Sequence, residues 1–228
     1  MNNFSFNRRI LSCVLKGSVI ISAMIGIFAS VYLERHSIHG GSRVFMYFTT
    51  QSNIAMIFIC GHGFFVLGRD RKVDMGWAVI KLMGTVSITL TGVVFAFILA
   101  PVIGDGAWNA QNTLTHLVVP VISVLDFFVV APGIQIPTKY AKYVMIPPII
   151  YVIYAGIGYL NGWQFSEGKN YPYFFLNWGS PAGAFGIMGQ MPFLGTVWWL
   201  VILLFFLYLV GHLYIRIADR IYQSNENN

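Results

Sequence analysis

The fold is decided by residues 76–100, GWAVIKLMGTVSITLTGVVFAFILA, in which Lys81 is the only charged side chain. An α-helix needs roughly 20 mostly apolar residues to cross a hydrocarbon core about 30 Å thick. Five more stretches of this kind occur along the chain, at residues 10–33, 45–68, 113–131, 140–160 and 194–217. We therefore predict an all-α integral membrane bundle of six transmembrane helices, formed by residues 1–228 as a single domain.

The composition excludes a water-soluble catalytic domain. Hydrophobic residues make up 57% of the 228 residues and charged residues only 10%, whereas soluble domains are about 25% charged. Because so few polar side chains are available to cover the surface, lipid must solvate most of it. The two cysteines, Cys13 and Cys60, both lie inside apolar stretches, so no disulfide is predicted.

The distribution of Lys and Arg predicts the orientation in the membrane. One side receives Arg8, Arg9, Lys16, Arg69, Arg71, Lys72, Lys81, Lys139, Lys142, Arg216 and Arg220. The other side receives only Arg35, Arg43 and Lys169. By the positive-inside rule both termini are cytoplasmic. The first apolar stretch has no small-residue cleavage site before Glu34, so we expect it to remain as a membrane anchor.

A polar layer is predicted near the non-cytoplasmic ends of spans two and four. At about 1.5 Å of rise per residue, Thr49 and His116 each lie one turn inside their span and therefore share a depth. A neutral imidazole can accept the proton of a neighbouring hydroxyl and activate its oxygen as a nucleophile. The structural alternative stays open, because Thr and His in membrane helices also serve only to join helices.

A second polar layer lies on the cytoplasmic side. Lys81 on span three and Asp126 on span four share a depth and have opposite charges, so we predict a buried ion pair. A proton relay is the functional alternative. His62 lies in this layer but, at about 100° of helical turn per residue, points away from the face of span two that carries Thr49.

The sequence contains no convincing metal, cofactor or nucleic-acid site. His36 and His39 lie three residues apart in an external loop, but two histidines without a further ligand make a poor metal site. There are eight acidic residues in total, no phosphate-binding glycine loop and no basic nucleic-acid patch. We predict no metal, no cofactor and no nucleic-acid partner.

The long connection at residues 161–192 is unusually aromatic. It contains Trp163, Trp178 and the run YPYFFLN at residues 171–177. Trp and Tyr commonly form a belt at the membrane interface. The alternative is a loop that folds back as a lid over Thr49 and His116, and the sequence does not choose between them.

Three motifs together resemble a known family. They are YFTTQSN at residues 47–53, HLVVP at residues 116–120 with Asp126 beyond it, and YPYFFLN at residues 171–177. In order and placement they resemble bacterial six-span membrane proteins distantly related to the animal androgen-induced and androgen-dependent TFPI-regulating proteins. The animal members are intramembrane hydrolases of fatty acid esters of hydroxy fatty acids, with a threonine nucleophile and a histidine.

The resemblance implies a role for two residues and a location. The threonine falls on Thr49, with Thr50 as the alternative register, and the histidine falls on His116. The Gln51-Ser52-Asn53 continuation is typical of the bacterial branch, which implies the cytoplasmic membrane of a bacterium.

The leading hypothesis is an intramembrane hydrolase of lipid or acyl esters that acts on membrane lipids. Thr49 would attack the ester carbonyl, with His116 as general base and then general acid. Candidate donors to the oxyanion are Ser52, Asn53 and Asn177. The alternatives are a small transporter or channel, although no inverted repeat is visible, and a non-catalytic lipid-binding scaffold.

Overall fold

The computed structural model describes residues 6–33, 35, 41–69, 73–129 and 134–226. His36, His39, Arg71 and Lys72 lie outside the described residues. Within the described ranges the chain forms long helices and no β-strand. The helices are α1 (Phe6–Leu33), α2 (Phe48–Gly68), α3 (Met75–Ile103), α4 (Ala110–Val129), α5 (Thr138–Leu160) and α6 (Thr196–Glu226).

The described part of the chain thus contains six helices long and apolar enough to cross a membrane, which confirms the all-α prediction. Their outward faces carry large apolar side chains in the open, including Phe28, Phe58, Phe97, Leu160 and Phe205. Exposed apolar side chains at this density require lipid as the solvent. The chain is therefore an integral, multi-pass membrane protein.

Helix α3 is the centre of the bundle. It packs against α2, α4, α5 and α6, whereas α1 packs against α2 and α4 at one flank. Its buried face carries apolar side chains such as Leu82, Val86 and Leu90. It also carries hydroxyls that bond the carbonyl one turn back, as Thr85 does to Lys81 (2.8 Å) and Thr89 to Thr85 (2.8 Å). Such a bond satisfies the Thr85 hydroxyl within its own helix, whereas the Thr89 hydroxyl also lies 3.0 Å from the hydroxyl of Tyr214 on α6.

Two π-helical turns interrupt the helices that carry the site. They lie at Phe95–Leu99 in α3 and Leu114–Val118 in α4, and each is followed after one residue by a proline. Because proline has no N–H, the carbonyl four residues earlier loses its helical partner. The residue before each proline instead bonds five residues back, from Ala100 to Phe95 and from Val119 to Leu114.

The connection at residues 161–192, predicted to be external, folds back over the helix ends. Phe165, Phe175 and Leu176 are buried in the same hydrophobic cluster as the central helices. The Tyr47 hydroxyl, just before α2, donates to the carbonyl of Phe165 (2.9 Å). Sequence alone leaves two alternatives for this segment, a belt at the membrane interface and a lid. The contacts just described are those of a segment that covers the bundle.

Candidate functional site

Thr49 and His116 are in direct contact. Thr49 lies in the first turn of α2, and its Oγ1 is 3.1 Å from Nε2 of His116 on α4. The neighbouring Thr50 is buried at the next position of the helix. The structure therefore brings Thr49 to the imidazole, at the depth where the sequence places both.

The second nitrogen of His116 is held by α4 itself. Nδ1 lies 3.1 Å from the Asn112 carbonyl oxygen and 3.1 Å from Oγ1 of Thr115. Because a carbonyl oxygen can only accept, the proton is assigned to Nδ1. Nε2 then has a free lone pair and accepts the hydrogen of the Thr49 hydroxyl.

The flat face of the His116 ring is also held in place by packing. Its ring stacks on Phe95 of α3, with the ring centroids 3.8 Å apart. Phe95 and His116 each belong to one of the two π turns. π turns are frequent at functional sites because they change the direction in which side chains point.

A pocket opens on the other side of Thr49. It contains about 600 Å³ of space not filled by atoms, part of it open to the outside. Its wall carries no charged side chain and is mostly aliphatic and aromatic. It is formed by Phe48, Thr49, Leu90, Thr91, Val94, Leu99, Pro148, Tyr151, Val152, Tyr173, Phe175, Leu176, Leu200, Leu203, Leu204 and Leu207. Thr49 thus lies between an apolar pocket and the imidazole.

Ser52 and Asn53 are placed one turn below Thr49 and not at the pocket wall. Ser52 Oγ lies 3.0 Å from the Thr49 carbonyl oxygen and 2.9 Å from Oγ1 of Thr91 on α3. Asn53 Nδ2 donates to the carbonyls of Thr49 (2.8 Å) and Thr115 (3.2 Å). These contacts tie the first turn of α2 to α3 and α4.

Asn177, the third predicted oxyanion donor, is also absent from the pocket wall. Its Oδ1 accepts a hydrogen bond from the backbone N–H of Gly179 (3.1 Å), within a turn of the external connection. Its carbonyl lies 3.4 Å from the Thr196 hydroxyl at the start of α6. The contacts of Asn177 therefore shape the connection itself.

Tyr173 is a site residue that the sequence marks only as part of an aromatic motif. Its phenol lies within reach of hydrogen bonds to the side chain and backbone of Thr49, the backbone of Phe48 and the side chain of Tyr151. Burial raises the pKa of Tyr173 above its ordinary value, against the lowering effect of these hydrogen bonds. The phenol is therefore protonated at neutral pH. Its position over Thr49 follows from the fold-back of the connection, which local sequence does not reveal.

The charges predicted to lie on the cytoplasmic side form a triad and not a pair. Lys81 Nζ is 3.0 Å from Asp126 Oδ2, as the predicted pair requires. Lys16 Nζ is 2.6 Å from Asp126 Oδ1 and also donates to Ser12 Oγ (2.8 Å). The charge pattern assigns Lys16 only to orientation, yet its position well inside the first span was a signal that it needs a partner.

An apolar layer separates the two polar layers. Along α2, α3 and α4 it is formed by Met56, Ile88 and Val119, all of them buried. Val19 and Ala23 of α1 complete it. Within the described ranges, no three His, Cys, Asp or Glu side chains come together as a metal site requires.

The fold and site define a class: a six-span integral membrane protein with a hydroxyl–imidazole pair beside an apolar pocket. In comparisons with family models, curated proteins and solved structures, nothing matches the chain. The site itself is therefore the basis for assigning a function.

Proposed function

We propose that this protein is an intramembrane hydrolase of carboxylic esters that carry a long apolar chain. The observation that carries the proposal is the 3.1 Å contact between Thr49 Oγ1 and His116 Nε2 at the wall of an apolar pocket. A threonine hydroxyl is a weak nucleophile alone and needs an adjacent base. The free lone pair on Nε2 supplies that base.

The reaction would proceed in two halves. Thr49 Oγ1 attacks the ester carbonyl while His116 takes the hydroxyl proton, and the protonated imidazole then gives that proton to the leaving alkoxide. Water next hydrolyses the acyl-threonine with the same histidine as base. The hydrogen bond from His116 Nδ1 to the Asn112 carbonyl stabilises the imidazolium formed in each half.

The pocket supports the substrate class. Its wall carries four hydroxyl groups, those of Thr49, Thr91, Tyr151 and Tyr173, and otherwise apolar side chains. Burying a charged headgroup in such a wall would be costly, so the buried part of the substrate is an acyl chain. Esters of fatty acids with hydroxy fatty acids, the class implied by the family resemblance, contain such chains.

The membrane supplies both solvent and substrate. The distribution of Lys and Arg places Thr49 and His116 near the non-cytoplasmic face, so an ester would come from the outer leaflet. The bacterial character of the motif at residues 47–53 supports a bacterial cytoplasmic membrane as the location.

The test is covalent labelling of the detergent-purified protein with a fluorophosphonate probe. We expect wild type to be labelled and Thr49→Val, which replaces only a hydroxyl by a methyl, to lose labelling. Thr50→Val is the matched control one position along α2 and is expected to label like wild type. Labelling that survives in Thr49→Val would remove Thr49 as nucleophile. No labelling of wild type, together with no hydrolysis of p-nitrophenyl decanoate, would favour a transporter or a scaffold.

A further inference from the structure

The phenol of Tyr173 is placed against the proposed nucleophile by several independent contacts. Its ring stacks on Phe175 (centroids 5.1 Å apart) and meets the ring of Tyr47 edge-on (5.9 Å). Tyr173 and Thr49 line the same pocket. The packing of the external connection thus holds the phenol beside the Thr49 side chain and the start of α2.

The hydroxyl hydrogen of Thr49 is already used, and this determines which of its atoms can accept from the Tyr173 phenol. The Thr49 hydrogen goes to His116 Nε2, so Thr49 Oγ1 has only lone pairs left for another partner. The Tyr173 hydroxyl lies near this side chain and can donate to Oγ1, with the Tyr151 hydroxyl oxygen as its other nearby acceptor.

The start of α2 holds the phenol oxygen from the other side. The backbone N–H groups of Phe48 and Thr49 have no partner within the helix, because they belong to its first turn. The N-cap residue Tyr47 offers no side-chain cap, and both N–H groups lie near the phenol oxygen of Tyr173. Donation from these N–H groups to the phenol oxygen strengthens its own O–H as a donor.

The other hydroxyls of the pocket wall are already committed. Tyr151 donates to the carbonyl of Met46 (3.1 Å). Thr91 bonds the Ser87 carbonyl (3.3 Å) and the Ser52 hydroxyl (2.9 Å). Tyr151 and Thr91 therefore have other acceptors for their hydrogens, and Tyr173 is the candidate donor beside Thr49.

We propose that Tyr173 donates the hydrogen bond that stabilises the oxyanion formed when Thr49 attacks an ester, an inference that rests on the proposed hydrolase function. The oxyanion forms on the carbon that has just bonded to Thr49 Oγ1, so it lies at the pocket wall that Thr49 shares with Tyr173. A small turn of the O–H moves the hydrogen bond from Oγ1 to the oxyanion.

The step balances without a further reactant. The C–O bond to Thr49 forms, the Thr49 proton goes to His116 Nε2, and the carbonyl electron pair becomes the oxyanion. When the carbonyl re-forms, the bond to the alcohol oxygen breaks and the alkoxide takes the proton from His116. Tyr173 keeps its own proton throughout. Burial of this phenol raises its pKa and so favours that protonated form.

The test replaces only the phenolic oxygen, by Tyr173→Phe, and measures hydrolysis of p-nitrophenyl decanoate in detergent. We expect kcat to fall about 100-fold, as on loss of one oxyanion donor, with a smaller change in KM. Tyr171→Phe, two positions away in the same connection, is the matched control and should hydrolyse like wild type. Wild-type kcat in Tyr173→Phe would overturn the role of Tyr173 and leave the hydrolase standing. Absence of hydrolysis and labelling in wild type would overturn the function itself.

A binding measurement separates catalysis from packing. The Thr49 hydroxyl adds to the carbonyl carbon of a decyl trifluoromethyl ketone, and this addition forms an oxyanion. An unreactive decyl ether only fills the pocket. Tyr173→Phe should lose affinity for the ketone by a factor similar to its loss in kcat and should bind the ether like wild type. Equal loss of both ligands would show that Tyr173 only shapes the pocket and would overturn the proposal.

Discussion

At the scale of single residues, the two nitrogens of His116 have different partners, and this difference gives the ring its direction. Nδ1 faces the Asn112 carbonyl one turn back on α4, and Nε2 faces Thr49 on α2. A lone histidine in a membrane helix has many structural roles. The tautomer set by Asn112 makes this one a hydrogen-bond acceptor toward a hydroxyl.

His116→Gln removes the base while leaving a polar side chain of similar length. We expect the rates of fluorophosphonate labelling and ester hydrolysis to fall by about 10²–10⁴-fold, the usual contribution of a general base. His62→Gln is the control, because His62 is on the same helix as Thr49 but is not part of the pocket wall. Its ring lies at a tilt against that of Trp77, with the ring centroids 3.7 Å apart. Wild-type rates in His116→Gln would contradict a role for the imidazole in the reaction.

At the scale of elements, the two π turns and the close approach of α3 and α4 position the imidazole. Gly92 of α3 lies against the turn that carries His116, and a Cβ there would lie 2.8 Å from the His116 carbonyl oxygen. The absence of a side chain at Gly92 therefore lets the two helices meet at this point. Pro101 and Pro120 explain from sequence why each helix has a π turn, whereas the stacking of Phe95 on His116 depends on how the helices pack.

Gly92→Ala tests whether the close packing of α3 against α4 positions His116. The added methyl must push α4 away, and overpacking of this kind costs about 1–3 kcal/mol. We expect a lower midpoint of thermal unfolding in detergent and slower ester hydrolysis. Gly61→Ala on α2, where a Cβ meets nothing within 4 Å, is the matched control and should keep both properties. Equal behaviour of the two variants would show that the approach of α3 and α4 does not position His116.

At the scale of the whole molecule, the charged triad connects the flank of the bundle to its centre. Asp126 of α4 accepts from Lys16 of α1 and from Lys81 of α3. Buried charges contribute little net stability as a set, but removal of one member leaves the others uncompensated. The triad is thus a device that sets how three helices pack together.

The triad predicts an order of stabilities. Asp126→Asn leaves two buried ammonium groups without a counter-charge and should cost about 3–5 kcal/mol, whereas Lys81→Met leaves the pair of Lys16 and Asp126 intact and should cost less. Denaturant titration in mixed micelles measures the difference. Asp74→Asn is the control, since Asp74 caps α3 through Trp77 N (2.8 Å) and asparagine caps equally well.

Exchanging the charges of Lys81 and Asp126 tests whether Lys16 belongs to the triad. For an isolated pair, the double variant Lys81→Asp with Asp126→Lys would restore stability. Here it places a second ammonium beside Lys16, so we expect no restoration. Full recovery of stability would contradict the contact of Lys16 with Asp126.

The sequence by itself determined the six spans, their all-α class and the depth of each polar residue, because hydropathy and helical rise act along one segment at a time. It therefore placed Thr49 level with His116 and Lys81 level with Asp126. Only the tertiary structure decided which of these side chains touch, that Lys16 joins Asp126, and that Ser52, Asn53 and Asn177 do not reach the pocket wall. It also decided that Tyr173 lines the same pocket as Thr49. Contacts between segments depend on helix rotation and on the path of a 32-residue connection at residues 161–192, which are set by packing of the whole bundle.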